Sequence, residues 1–466
     1  MKRIYIIIIT LATVMLASCE KQLDLQPHNS IGNEKVFEKV DDLLTAKIGV
    51  YGNMASLASI SYSSRASDDL KLIAENTGQG VSIHNWTYNA SDADIETLWD
   101  GAYKSIDLAN RVLAAAEVFL ADPDVSADDL KIIKDVKGHC LFVRAHSHFE
   151  IIRAYSPAYS DGAIGIPYMT EAAVSGKPSR LSSLEVYTNI KNDLTASISL
   201  LPKGADASVE FASVSAANAL MARVLLWQGD YDNAIVYADK VISESGISLA
   251  SRGQIEALWK DEIPSGVEVI FQLNKVDGDT EIGSIFNRTG NDDIFFQPSV
   301  DLRSQYGAND IRANVYFGTL NGKDIVNKHI GRTGGQKNLV HVKMYRLSEM
   351  YLIKAEAYAN KGDLVNAANF VYEIQSRRDT DITSAPVYSS KSAAIDGVLL
   401  EKRREMAYEG HRFYDLKRYN KGIVRIGLDA ELASGKTLAA GDYRFVFPIP
   451  QAEMFANENM VQNANY

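Results

Sequence analysis

Two stretches of this chain repeat one helical-hairpin plan, and that repeat limits its fold more than any other feature. Residues 215–245 read as a helix, a break at Gln228-Gly229-Asp230-Tyr231, and a second helix. Ala222, Leu226, Ala234 and Ala238 stand where the two helices would cross closely. Residues 345–378 do the same with Leu347, Ala355 and Ala359, the break Lys361-Gly362-Asp363-Leu364, then Ala367, Ala368 and Val371. At one fixed offset Gly229 aligns with Gly362, Ala222 with Ala355 and Ala234 with Ala367. Glycine ends a helix in the left-handed region, aspartate caps the next one, and small side chains let the pair approach closely. A chain built on such units is committed to a mainly α architecture of stacked helix pairs, of the tetratricopeptide-like kind.

Three longer helices are predicted on the same grounds. Residues 94–121 place Ile95, Leu98, Trp99, Ala102, Ile106, Ala109 and Leu113 on one stripe. Residues 127–155 are apolar nearly all round, as in a helix buried between neighbours. Residues 183–201 follow the capping box Ser182-Ser183-Leu184-Glu185 and stop at Pro202. A further helical pattern covers 37–60, residues 61–92 read as irregular, and a helix runs through Leu399–Gly410. Residues 247–340 differ in character, with Gly, Asn and Asp punctuating short apolar pieces such as the strand Val267–Phe271. Asn287–Phe296 and Tyr306–Gly335 read as long loops, which in a compact protein usually carry function.

The N-terminus sets the compartment. Lys2 and Arg3 precede an apolar run from Ile4 to Leu16, which is shorter than the roughly 20 residues that span a bilayer. It ends in Leu16-Ala17-Ser18-Cys19, a bacterial lipobox. The sequence therefore predicts a signal peptide over 1–18, lipidation at Cys19 and a polar tether over 19–36, ahead of a body long enough for two or three ordinary domains or one large helical one, working outside the cytoplasm. Only Cys140 accompanies Cys19, in an apolar stretch that makes it a buried structural thiol. With 48 basic and 59 acidic residues and net charge −11, the chain has no basic stripe to neutralise phosphates, so nucleic acid is not a partner.

No enzymatic constellation emerges: there is no Gly-rich phosphate loop, no His-Glu-x-x-His and no Gly-x-Ser-x-Gly. His146 and His148 would point about 200° apart on one helix, and His139 lies two turns away, which excludes a shared metal ion. His146 is expected to bond Glu150 one turn on. Asp277–Glu281 is acidic but lacks the spacing of a calcium loop. The charged run Glu401, Arg404, Glu405, Glu409 reads as an ion-pair lattice tying a helix to its neighbours. No catalytic residue, metal or cofactor is assigned.

The motifs together resemble the RagB/SusD family of nutrient-uptake lipoproteins on the Bacteroidota outer membrane. They include Leu23-Asp24-Leu25-Gln26-Pro27 after the lipobox, Trp99-x3-Tyr103-x2-Ile106-x2-Ala109-Asn110, Arg144-Ala145 with Gly165-Ile166-Pro167, and Asp193-Leu194 with Leu201-Pro202. Tyr345-Arg346-Leu347-x-Glu349-x-Tyr351-Leu352, Glu401-x-Arg403-Arg404-Glu405, Glu409-Gly410-His411-Arg412 and Pro448-Ile449-Pro450 follow in order. The family's usual final Asn-Pro-Gly-Tyr is here Asn463-Ala464-Asn465-Tyr466. The resemblance implies a single domain over 37–466, with four tetratricopeptide-like helix pairs as a scaffold, here mainly 37–60, 94–246 and 341–420. A loop-rich variable region with short strands would cover about 247–340 and 379–392. It also implies non-catalytic capture of oligosaccharide, as the lid of a SusC-like TonB-dependent transporter, by a protein lipid-anchored in the outer membrane and facing outward. Peptide or glycopeptide capture in the same lid role is the alternative, or a lipidated helical scaffold without carbohydrate binding.

Sugar recognition needs aromatic faces for the C–H side of pyranose rings and planar polar groups for hydroxyls. In similar proteins the site is built from loops leaving the first long helices and from the central insert. Those regions offer Trp86 foremost, then Tyr88, Phe295, Phe296 and Tyr316, with Phe317 beside them, and Arg65, Asp68, Asn85 and Asn291 as polar partners. Trp99, Trp227 and Trp259 sit in helical patterns and are assigned to packing.

Overall fold

The computed structural model describes residues 36–466 other than 55, 174, 205–207 and 289–292. The apolar leader, Cys19, the tether up to residue 35 and Asn291 lie outside the described residues. The helical frame consists of α1 (Val40–Gly52), α2 (Ser56–Ala66), α3 (Ala93–Leu120), α4 (Ala127–Tyr155), α5 (Ser183–Leu200), α6 (Val214–Gln228) and α7 (Tyr231–Glu244). After the insert it resumes with α8 (Leu347–Lys361), α9 (Leu364–Gln375), α10 (Lys391–Glu405) and α11 (Arg412–Arg418). Each long helix packs on the next: α3 on α4, α4 on α5, α6 on α7, α7 on α8 and α8 on α9.

Local chemistry explains these boundaries. Gly229 and Gly362 take the left-handed conformation at φ 81° and 82°, and Asp230 and Asp363 then accept from the backbone N–H of Asn233 and Asn366. The two hairpins are thus built with the same residues in the same conformation. Ser126 and Ser182 cap α4 and α5, and Glu185 completes the predicted box. In α4 every residue from Phe142 to Tyr155 is buried, the polar ones included, with Arg144 paired to Asp193 and Arg153 to Glu150. Cys140 is fully buried, and burial pushes its thiol up to about 12.

Three stretches differ from the sequence reading. The pattern over 37–60 divides into α1 and α2, and α2 continues to Ala66 into the segment read as irregular. The helix expected over Leu399–Gly410 is α10, which begins at Lys391 and ends at Glu405. The insert holds more regular structure than its loop-like composition indicates. Leu70–Leu72 pairs antiparallel with Phe296–Pro298, Val269–Leu273 with Val342–Arg346, and Phe317–Leu320 with Lys323–Val326.

A buried ion network fastens the insert to the frame. The Glu405 carboxylate meets the guanidinium groups of Arg312, Arg346 and Arg378, each at 3.1 Å. Arg312 also reaches Glu401 at 2.6 Å, and Arg346 reaches Glu268 at 2.9 Å and Glu409 at 2.8 Å. The predicted lattice therefore exists, but its cations come from the insert and from α9's end as well as from α10 itself.

Candidate functional site

The structure gathers most of the sequence-predicted ligand residues into one region, and then buries them. Trp86 is 2 % exposed, its Nε1 donates to the Ala66 carbonyl at 2.8 Å, and the Arg425 guanidinium covers its ring at 4.2 Å. Asn85 accepts from the Gly435 backbone N–H at 3.2 Å. Phe296 is fully buried beside Arg65, whose guanidinium lies 5.7 Å from the ring and donates to the Ile285 carbonyl. Asp68 is taken by Arg412 at 2.7 Å and by Arg403 at 3.4 Å. Phe295 is buried under Arg288. Farther off, Tyr88 donates to the Arg444 carbonyl with its ring edge-on to Phe447. Tyr316 is fully buried, donating to the Glu405 carbonyl at 3.2 Å beneath the Lys328 ammonium. Phe317 is likewise buried. These aromatic rings therefore do not present an open face to a sugar, which corrects the expectation placed on them. They pin loops to the frame, a task that calls for the same residue types as stacking does.

Trp86→Ala is accordingly a folding variant. Removing a fully buried indole is expected to lower stability by about 3–5 kcal/mol in urea unfolding. Glycan affinity per folded molecule should stay unchanged. A stable variant without affinity would restore Trp86 to the binding surface.

The histidines are buried one by one in separate environments. The His146 ring nitrogen bonds the Tyr345 hydroxyl at 2.8 Å rather than Glu150, which instead takes Arg153 at 2.5 Å and the Ser59 hydroxyl. His148 donates from Nδ1 to the Arg144 carbonyl at 2.9 Å and accepts from the Met169 N–H at 3.0 Å. His139 sits between the Tyr51 hydroxyl at 2.7 Å and Asp135 at 3.3 Å. Trp99, Trp227 and Trp259 are buried in packing, as their helical patterns indicated.

An open cleft of about 620 Å³ lies elsewhere, where the C-terminal segment closes against the end of α4. Pro157, Ala158 and Ile164 form one wall, Lys417 and Arg418 the base, Asn420 the rim, and Gly441 to Tyr443, Phe445, Val446 and Gln462 to Ala464 the other wall. Tyr443 is 41 % exposed and is held edge-on by Tyr466 at 5.0 Å between ring centroids. Asp442 and Arg444 form an ion pair beside it at 2.7 Å. The Gln462 amide is used up on Ile449, and the Asn463 amide donates to the Tyr155 and Phe447 carbonyls, so both fix the wall. Asn420 is exposed on the rim. A half-exposed aromatic ring with an amide and charged groups around an apolar hollow matches the chemistry of saccharide binding. The sequence reading passed over Tyr443 because nothing local separates it from the chain's other 22 tyrosines, 23 in all.

Comparison with known proteins fixes the family. A model described as the SusD family matches residues 299–466, and one described as starch-binding associating with outer membrane matches residues 21–226. The chain belongs to the SusD/RagB family. The SusD-like protein P2 of Formosa agariphila is 23 % identical over 99 % of both chains. Among solved structures, a SusD superfamily protein of Bacteroides thetaiotaomicron superposes with a TM-score of 0.81 at 25 % identity, covering 92 % of this chain and 100 % of its own. A putative sugar binding protein of Bacteroides vulgatus also gives 0.81, at 23 % identity over 92 % and 99 %. A laminarin binding SusD-like protein gives 0.72 at 20 % identity over 91 % and 99 %. The helical scaffold with its loop-rich insert is thus the SusD fold. Among the described residues no helix is long and apolar enough to cross a membrane.

Proposed function

We propose that this protein is a non-catalytic, lipid-anchored surface receptor that captures oligosaccharide and serves as the lid of a SusC-like TonB-dependent transporter. Membership of the SusD/RagB family carries this reading. The Cys19 lipobox supplies the anchor and residues 19–36 the tether on which the lid turns. No bond is made or broken: the receptor holds the glycan through ring stacking and hydrogen bonds, and the transporter imports it. The Tyr443 cleft offers the stacking face that the buried aromatics do not, and a 620 Å³ hollow lies within the size range of small-ligand sites.

Calorimetry across a polysaccharide and oligosaccharide panel tests this function. At least one glycan should bind without being turned over, and Tyr443→Ala should weaken it roughly tenfold or more, as loss of a stacking ring commonly does. Binding of peptides alone, or of nothing, would overturn glycan capture. Full affinity in Tyr443→Ala would move the site away from the cleft.

A further inference from the structure

Two cations at the border of this cleft have no carboxylate partner among the described residues. Lys417 is 7 % exposed, and its Nζ donates to the Arg153 carbonyl at 2.6 Å and the Ser156 carbonyl at 2.5 Å. Those carbonyls end α4. A helix C-terminus carries about half an elementary charge, so it solvates an ammonium without neutralising it. The third N–H has no acceptor among the described residues. Ser156 is followed by Pro157 and Ala158, which line the cleft together with Lys417 itself.

Arg180 stands on the same side. Its guanidinium donates to the carbonyls of Gly165 at 2.7 Å, Val461 at 2.9 Å and Tyr155 at 3.1 Å, and to the Asn463 Oδ1 at 2.9 Å. Every acceptor is neutral, and Asn463 is itself part of the wall. The other cations in or beside the cleft are matched: Arg418 meets Glu356 and Asp415 at 2.7 Å, and Arg444, next to the lining, meets Asp442. In a chain with net charge −11, this leaves Arg180, and Lys417 when it is protonated, without a counter-charge beside the half-exposed ring of the cleft. Burying a charge without its opposite is costly: burial and the neighbouring Arg153 guanidinium push the Lys417 amine down to about 7, and a ligand anion in the cleft would hold it protonated.

We propose that the cleft is an acidic-sugar subsite, taking a saccharide unit with a carboxylate or sulfate group, its ring face on Tyr443 and its anion toward Lys417 and Arg180. This rests on the glycan-capture reading and specifies the glycan class. The direct contact falls to the free N–H of Lys417, while Arg180 acts through its field, since its own donors are engaged.

Calorimetry on the full mature protein in detergent, with three oligosaccharides of equal length, tests the subsite: an oligogalacturonate, a sulfated galactan and a neutral laminarin fragment. One acidic probe should bind at least tenfold tighter than the laminarin fragment, and which one does so separates carboxylate from sulfate. Lys417→Met should erase that preference and leave laminarin affinity within about threefold, whereas Lys417→Arg should keep it. Ala158→Glu, which leaves the buried ammonium in place and sets a carboxylate on the wall, should do the same as Lys417→Met and covers the case in which that variant fails to fold. Equal or tighter binding of the neutral fragment overturns the acidic subsite and leaves glycan capture standing. A preference that survives Ala158→Glu overturns it too. Binding of none of the three probes, together with none in the wider panel, overturns glycan capture itself.

Discussion

Glu405→Ala is expected to cost the protein about 3–5 kcal/mol or more in urea unfolding, the range for removing one partner of a buried ion pair. The side chain is 1 % exposed and faces three guanidinium groups, those of Arg312, Arg346 and Arg378. Burial by itself would raise its carboxyl, yet Arg378, Arg346 and Arg312 overcome burial and hold it far below the usual carboxylate range. Alanine leaves those arginines in place without the charge they share, and that stranded charge is what destabilises. The three arginines lie before α8 and after α9, so the loss loosens the insert from the frame and not merely one helix end. Glu405→Gln keeps an acceptor and the shape while removing the charge, and should fall between wild type and alanine. The exposed pair Lys131–Asp128, 78 % and 88 % accessible, is the contrast: its removal should change stability by less than about 1 kcal/mol. A Glu405→Ala loss as small as that would mean the network is not what joins insert to frame.

The frame was legible because its signals are local. Gly229 and Gly362 each need a left-handed φ, each is followed by a capping aspartate, and small residues flank both; a reader of the sequence meets all of this within some thirty residues. Ser126 and Ser182 mark helix starts in the same way. The insert was less legible because its order comes from partners far along the chain. Leu70–Leu72 is a three-residue strand whose neighbour is Phe296–Pro298, and neither segment is long enough to show a period. Likewise the lattice was readable at Glu401 and Glu405 on one helix and at Glu409 just beyond its end, while Arg312, Arg346 and Arg378 had no sequence signal connecting them to it.

The site was least legible, and for a definite reason. Whether an aromatic ring is a surface for sugar or a staple for a loop depends on what covers it. Trp86 is covered by Arg425, and Tyr88 by Arg444 and Phe447, all from the last tenth of the chain. A Ser-, Asn- and Gly-rich setting looked like an open loop, and in the fold it is a floor roofed by the C-terminal segment. Tyr443 is the converse case. It lies in a tail whose neighbours Phe445 and Phe447 are buried, and only the turn at Tyr443–Phe445 leaves its ring half outside. Lys417 looked like a member of the charged run Asp415–Arg418, but Asp415 goes to Lys402 and Arg418, leaving Lys417 to the carbonyls at the end of α4.

Acid should unfold this protein early, with a midpoint no lower than about pH 4 to 5, because burial lowers six imidazoles in the fold, those of His84, His139, His146, His148, His329 and His411. Burial lowers His146 to about 4, and His148 and His329 to about 3. In the unfolded chain each protonates near 6.5. Between those values the unfolded state binds more protons, so what the imidazoles contribute is full above pH 6.5 and falls as the pH falls. Each ring withdraws about 1.4 kcal/mol per pH unit, which makes roughly 6 kcal/mol for the three at pH 5 and about 10 at pH 4. That is comparable with the whole stability of an ordinary domain, about 5–15 kcal/mol. The geometry of His148 shows why the neutral form is required: its Nε2 accepts from the Met169 N–H, and a proton there would set two donors against each other. Below about pH 4.5 the carboxylates add to the loss, since Glu150, which burial would raise, is held at about 2 chiefly by Arg153. Circular dichroism and tryptophan fluorescence followed from pH 8 to 2 would show a flat baseline above 6.5 and then cooperative loss. His148→Gln, which keeps an acceptor for Met169 and takes up no proton, should move the midpoint to lower pH. A native signal persisting below pH 3 in the wild-type protein would mean that the imidazoles gain protons without unfolding it, and that these three sites are open to water in a way their burial denies.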